Sequence, residues 1–306
     1  MTIQIFRTQP SFDFMGKRWI GFILSIILTL GSLGLVATKG LNFGIDFTGG
    51  ILMEIHTEQP ADLGMMRGLF DGGDFGEVSL QNSGSENDVM IRIQVSESDD
   101  QAKTVERVKE LLVGEIGEGV AFRRTDYVGP TVGRELMKNG IIATILSFAA
   151  IMLYVWFRFE WQYGVGAILA LLHDTIMIIG FFAVTRFEFG LTAIAAILTI
   201  IGYSINDSVV IYDRIRESLR RFKKKEIIEL LNLSINETLS RTILTASTTL
   251  LASLALFLFG GEVIRGFSGA MVFGVIIGTY SSIYISAPTL LYLNIRSNTE
   301  AQPKAA

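Results

Sequence analysis

No cysteine occurs anywhere in the 306 residues, which excludes disulfides and thiolate-ligated metals. Histidine is almost as scarce, with two in the chain. One of them, His56, falls in a polar segment far from His173, so a histidine metal site is a poor reading and no cofactor is expected. There is no Walker sequence, no nucleophile elbow and no zinc-ligand spacing. Gly49 and Gly50 do not open a helix after a strand, so they make a tight turn and not a dinucleotide or phosphate loop. ATP hydrolysis by this chain is therefore not expected, and any work it does should draw on an ion gradient or a partner. Tandem repeats and low-complexity tracts are missing too, and nothing points to nucleic acid.

What is present is apolar. Half of the residues are hydrophobic and the mean hydropathy is +0.45. The apolar residues fall in blocks of about 18 to 25, the length that crosses a bilayer as a helix. Six such spans are predicted, at 19–38, 140–157, 164–184, 189–211, 239–260 and 267–293. The first follows Lys17 and Arg18 and could pass for a secretory signal. Its length, and the absence of a small-residue cleavage site after it, make an uncleaved helix the better reading. Basic residues flank this span and fill the connection 212–238, which carries Arg220, Arg221, Lys223, Lys224 and Lys225. The positive-inside rule then places residues 1–18, that connection and the tail 294–306 in the cytoplasm. The basic run itself reads as a topology signal with anionic-lipid contact, or else as a protein-docking site.

Residues 39–139 are polar, and between Asp46 and Glu135 acids outnumber bases by roughly two to one. By the same rule this segment lies outside. Alternation at 50–56, 77–82, 89–95 and 120–128 predicts strands. Helices are expected at 60–70 and, capped by Asp99 and Asp100, from there to about 116. The order βαββαβ fits a ferredoxin-like unit. The expected fold class is thus a polytopic α-helical membrane protein, with six transmembrane helices and one α+β ferredoxin-like periplasmic domain between helices 1 and 2.

Charges inside the spans need a reason, since each costs on the order of 3 kcal/mol at the bilayer centre. Asp207 lies in the fourth span with Tyr203 and Ser204 on its helical face and Asn206 and Ser208 beside it. If that span meets the interface near Asp213, Asp207 is about 9 Å inside it. Arg241 in the fifth span enters from the same side at about 6 Å and can reach further. An Asp207 to Arg241 pair across facing helices is geometrically open; snorkelling of Arg241 to the interface is the alternative. The hydroxyls of Ser240, Thr242, Thr245, Ser247, Thr248 and Thr249 could line a hydrated path beside that pair or could bond back to helix carbonyls. His173 and Asp174 sit halfway along the third span, as a proton relay or as a structural pair. Glycines at both junctions of the outer domain suggest a hinge made of Asp46, Gly49 and Gly50 at one end and Gly129, Pro130 and Gly133 at the other, with static turns as the alternative.

Ordered motifs carry a resemblance. They are Gly44-Ile45-Asp46-Phe47-Thr48-Gly49-Gly50, Val128-Gly129-Pro130-Thr131-Val132-Gly133 with Glu135-Leu136, and His173-Asp174. Further on come Asn206-Asp207-Ser208-Val209-Val210-Ile211-Tyr212-Asp213-Arg214-Ile215-Arg216-Glu217, Asn236-Glu237-Thr238-Leu239-Ser240-Arg241-Thr242 and Gly278-Thr279-Tyr280-Ser281-Ser282. Over nearly its whole length the chain resembles the SecD/SecF family, related to resistance-nodulation-division transporters, and within it the separate SecF form. The resemblance implies a non-enzymatic subunit of the bacterial inner membrane that pairs with SecD into a twelve-helix unit. That unit would work beside the SecYEG channel and the SecA ATPase, with YajC and YidC as further candidate partners, and would use the proton motive force to pull unfolded preprotein outward. It also implies that Asp207 and Arg241 are the essential acid and its basic partner; the coupling ion, proton or sodium, stays open. Two other classes compete. One is a small-molecule or lipid exporter of the same superfamily, which should carry a larger ligand cavity. The other is a non-transporting assembly subunit, which would gain nothing from such deep charges.

Overall fold

The computed structural model describes residues 10–71, 75–95, 101–117 and 119–295. Asp99 and Asp100, the expected helix cap, lie outside the described residues, as does the tail after Ile295. The chain forms two compact units.

One unit comprises residues 43–143 and 188–191. Its elements run α2 (Ile45–Thr48), β1 (Gly50–His56), α3 (Leu63–Asp71), β2 (Val78–Ser83), β3 (Ser85–Ile93), α4 (Gln101–Ile116) and β4 (Ala121–Val128); the first helix of the chain, α1 (Arg18–Lys39), precedes them. The four strands are antiparallel in the order β2-β3-β1-β4, the arrangement of a split βαβ motif. Period-two patterning sets the faces. Ile51, Met53 and Ile55 of β1 and Val89, Ile91 and Ile93 of β3 are fully buried, and they meet Val108 and Leu112, which recur at i and i+4 on α4. Leu112→Ala removes buried methyl groups with nothing to fill the gap and should cost about 2–5 kcal/mol. Pulse proteolysis of the full-length protein should show this unit cleaved faster while the membrane helices stay protected.

The turn into β1 depends on glycine. Gly49 has φ 72° and a Cβ there would meet Pro130 Cα at 2.8 Å; Gly50 has φ 116° and a Cβ would meet the Ile93 carbonyl oxygen at 2.5 Å. Both values of φ are disfavoured for any residue with a side chain.

The other unit comprises residues 10–42, 144–187 and 192–295. Six helices in the described chain are long and apolar enough to cross a membrane. They are α1, α5 (Pro130–Arg158), α6 (Trp161–Thr185), α7 (Leu191–Arg221), α8 (Ile227–Phe259) and α9 (Glu262–Ser281), the last running on through a π-helical turn, Ser282–Ser286, to Tyr292. Several are longer than the apolar blocks that predicted them. α5 starts at Pro130 and not at 140, α7 continues to Arg221, and α8 begins at Ile227. Hydropathy marks only the part of a helix suited to lipid, and the polar turns beyond it remain helical. Pro130 and Gly133 are consequently the first turn of α5, with proline at the position where its missing N–H costs nothing. The expected hinge positions Pro130 and Gly133 thus lie at a helix end.

The core of this unit joins Met15, Phe159, Tyr163, Ile211, Tyr212 and Leu230. Asn232 and Asn236, one turn apart on α8, hold the segment before α1: Asn236 Oδ1 accepts from Phe12 N–H at 2.9 Å and its Nδ2 donates to Phe12 O at 2.8 Å, while Asn232 Oδ1 accepts from Phe14 and Met15 N–H, each at 2.9 Å.

Candidate functional site

Two carboxylates lie buried between the helices of the membrane unit. Asp174, fully buried at the centre of α6, accepts Ser204 Oγ of α7 at 2.6 Å and Ser281 Oγ at the end of α9 at 2.8 Å, both on Oδ2. Its other oxygen faces its neighbour His173 Nδ1 at 3.0 Å. Asp207 of α7, 6% exposed, accepts Thr242 Oγ1 of α8 at 2.5 Å and Ser282 Oγ at 2.6 Å. Ser204 and Asp207 are three residues apart, so α7 carries both on one face.

The consecutive Ser281 and Ser282 therefore answer different acids, and the π-helical turn begins at the second of them. Such turns re-aim side chains and recur at functional positions. Each serine also has a second acceptor. Ser281 Oγ lies 3.1 Å from Gly278 O, and Ser282 Oγ lies 2.9 Å from Thr279 O. A hydroxyl has one hydrogen to give. Each can donate to its carboxylate or swing to its carbonyl, accepting from the acid in the second case. In either orientation the serine hydroxyl keeps an acceptor.

Not every predicted residue joins this constellation. Arg241 is exposed on α8 and makes no ion pair with Asp207 or with any other acid among the described residues. It precedes Thr242, the residue that does face the acid, by one position and so points about 100° away. The expected direct ion pair of Asp207 with Arg241 is not formed in this conformation: hydroxyls meet the carboxylate, and the guanidinium stays within electrostatic reach of it. Thr245 donates to Arg241 O at 3.0 Å and Thr248 to Thr245 O at 2.9 Å, which is back-bonding within α8. Asn206 is exposed, Tyr203 half-buried and Ser208 buried. Ser281 and Ser282 were missed as acid partners, although paired serines in the middle of an apolar span were a visible signal.

In the sheet unit, Asp46 Oδ2 accepts from Leu191 N–H at 2.8 Å, the first residue of α7. Glu188 faces Arg92 at 3.6 Å. Burial raises the Glu188 carboxyl above the ordinary value of 4.5; Arg92 opposes the shift and nearby Asp46 adds to it. The folded chain thus holds this proton to higher pH than the unfolded chain does, so ionisation costs stability as pH rises above about 4.5. Glu188→Gln should therefore gain stability over the parent at neutral pH, and the gain should vanish below the unfolded value, as read by denaturant unfolding at a series of pH values.

The profile described as protein export membrane protein SecD/SecF, C-terminal, matches residues 108–296, and the SecD/SecF GG motif matches 34–61. The protein translocase subunit SecF of Rickettsia akari is 51% identical over 97% of this chain and 97% of its own length. That of Rickettsia bellii is 52% identical over 94% and 95%. Among solved structures, SecDF, a translocon-associated membrane protein from Thermus thermophilus, superposes with a TM-score of 0.85 at 36% identity. SecDF in a super-membrane-facing form gives 0.69 at 35%. This chain covers 95% and 97% of itself in those matches but spans only 40% and 41% of the SecDF chains. The serine-bridged acids thus sit in the matched C-terminal region, the glycine turn into β1 sits in the matched GG motif, and the chain belongs to the SecD/SecF family as a protein translocase subunit SecF.

Proposed function

We propose that this subunit pairs with a SecD partner in the bacterial inner membrane and couples inward proton flow to the outward movement of unfolded polypeptide, beside the SecYEG channel and SecA. Both termini would then lie in the cytoplasm and the sheet unit in the periplasm. The observation that carries the reading is the pair of buried acids, Asp174 and Asp207, joined through adjacent serines that each have two acceptors. An inert scaffold gains nothing from two acids at that depth.

Asp207 is the switch in this scheme. Ionised, it accepts from Thr242 and Ser282 and holds α8 and the π-helical turn to α7. Protonated, it accepts fewer donors and gives one hydrogen of its own, so the hold on α8 changes. A local charge event of this kind biases a two-state element, here the packing of α7 against α8. Arg241, one position from Thr242, is the cation that such a shift of α8 would bring to the ionised acid. The half-size chain also fits a site completed by a second half, as in transporters built from repeats.

The test is export into vesicles containing this chain and its SecD partner, with proton and sodium gradients imposed separately. Proton-driven export with no response to sodium is the expected result. Sodium-driven export alone would overturn the choice of ion, and export indifferent to both would overturn coupling.

A further inference from the structure

We infer that the cleft between the end of α5 and the last turns of α7 is a binding site for the headgroup of an anionic phospholipid. The cleft measures about 500 Å³ and is lined by Arg158, Asp213, Arg216, Glu217, Arg220 and Arg221. Its two carboxylates are already answered. Asp213 pairs with Arg158 at 2.8 Å, and Glu217 with Arg214 at 2.5 Å, whose Nε also reaches Glu237 at 2.5 Å. That leaves Arg216, Arg220 and Arg221 without a carboxylate partner among the described residues.

Two of the guanidiniums are held in place. Arg158 and Arg216 both lie over the ring of Phe159, at 4.9 and 5.4 Å, and Arg216 Nη1 donates to Arg158 O at 3.2 Å. Phe159 is itself buried. Arg158 is taken by Asp213, but Arg216, fixed over the ring, keeps its remaining edge N–H groups for a second ligand, and a guanidinium edge matches a phosphodiester. The i, i+4 spacing of Arg216 and Arg220 sets a second fork on the same face of α7.

The surroundings point to a lipid as the source of the phosphate. Trp156, Phe157 and Trp161, next to Arg158 in the chain, are 66%, 85% and 54% exposed. Exposed aromatics at the ends of spanning helices mark the headgroup level of a bilayer, where acyl chains lie on one side and basic residues on the other. The cleft therefore opens where lipid phosphates are concentrated. The site is separate from Asp207 and its partners, and the inference stands whether or not proton coupling does.

Intact mass spectrometry of the full chain in detergent, titrated with phosphatidylglycerol, phosphatidylcholine or inorganic phosphate, tests this. Phosphatidylglycerol should stay bound where phosphatidylcholine does not, and millimolar phosphate should fail to displace it. Replacing Arg216, Arg220 and Arg221 by glutamine should lower the retained phosphatidylglycerol at least about tenfold, and replacing them by lysine, which keeps the charge without the fork, should restore only part of it. If the triple variant does not accumulate, Arg220→Gln alone, at an exposed position, should still weaken retention several-fold. Equal retention of the two lipids, displacement by phosphate, or unchanged retention in the glutamine variants would overturn the site.

Discussion

Asp207→Asn should insert and accumulate normally yet lose gradient-dependent export. Asparagine fills the space of aspartate, but Thr242 and Ser282 donate to different carboxylate oxygens, so its single carbonyl oxygen can accept from only one of them. Its amide would meet one of those hydroxyls as a donor, a mismatch that the rotation of Ser282 toward Thr279 O can absorb. The packing around α7 is therefore kept. What is lost is the exchangeable proton, and with it the change of hydrogen-bond direction that distinguishes the two states. The expected measurement is translocation of a preprotein into vesicles with and without an imposed proton gradient. The gradient should accelerate the parent complex and leave the variant at the rate set by SecA alone. A normally accumulating variant that kept full acceleration would move the switch to Asp174.

Arg241→Met should be nearly as damaging to export while leaving stability untouched, and the two readouts together separate function from folding. Arg241 is exposed and has no ion pair among the described residues, so its removal should change unfolding by no more than about 0.5 kcal/mol. If the guanidinium is the cation that the ionised Asp207 meets in a second arrangement of α8, its loss leaves that arrangement with an unanswered charge in a poorly solvated place. Lysine at this position should restore part of the activity. Ser208→Ala, beside the acid but outside its hydrogen bonds, is the matched control and should be mild. A full-rate Arg241→Met complex would leave the arginine as an interfacial anchor only.

The six spans and the order of the sheet unit were legible because burial imposes a period. Alternation in 50–56 coincides with β1, and the i, i+4 pattern of Val108 and Leu112 with α4. Helix ends were not legible, since the polar turns at 130–139 and 212–221 carry no hydropathy signal and helicity there is decided by backbone continuity. The acids themselves stood out as charges in apolar runs. Of their partners, Ser204 and Thr242 were among the hydroxyls expected near Asp207, but Ser281 and Ser282 were not, because a serine in a span more often bonds back to its own helix, as Thr245 and Thr248 do. The choice of Thr242 over Arg241 rests on about 100° of helix rotation, which sequence depth cannot resolve. The clasp of residues 12–15 by Asn232 and Asn236 was equally hidden: it joins positions more than two hundred residues apart, and no local pattern announces it.

The most direct test of Asp207 as the proton-carrying group is infrared difference spectroscopy of the reconstituted complex between low and high pH, comparing the parent with Asp207→Asn. The account predicts a protonated-carboxyl band that appears at low pH, shifts in deuterium oxide and is missing from the variant. A band that persists unchanged in Asp207→Asn, or a parent complex with no titrating buried carboxyl at all, would contradict it.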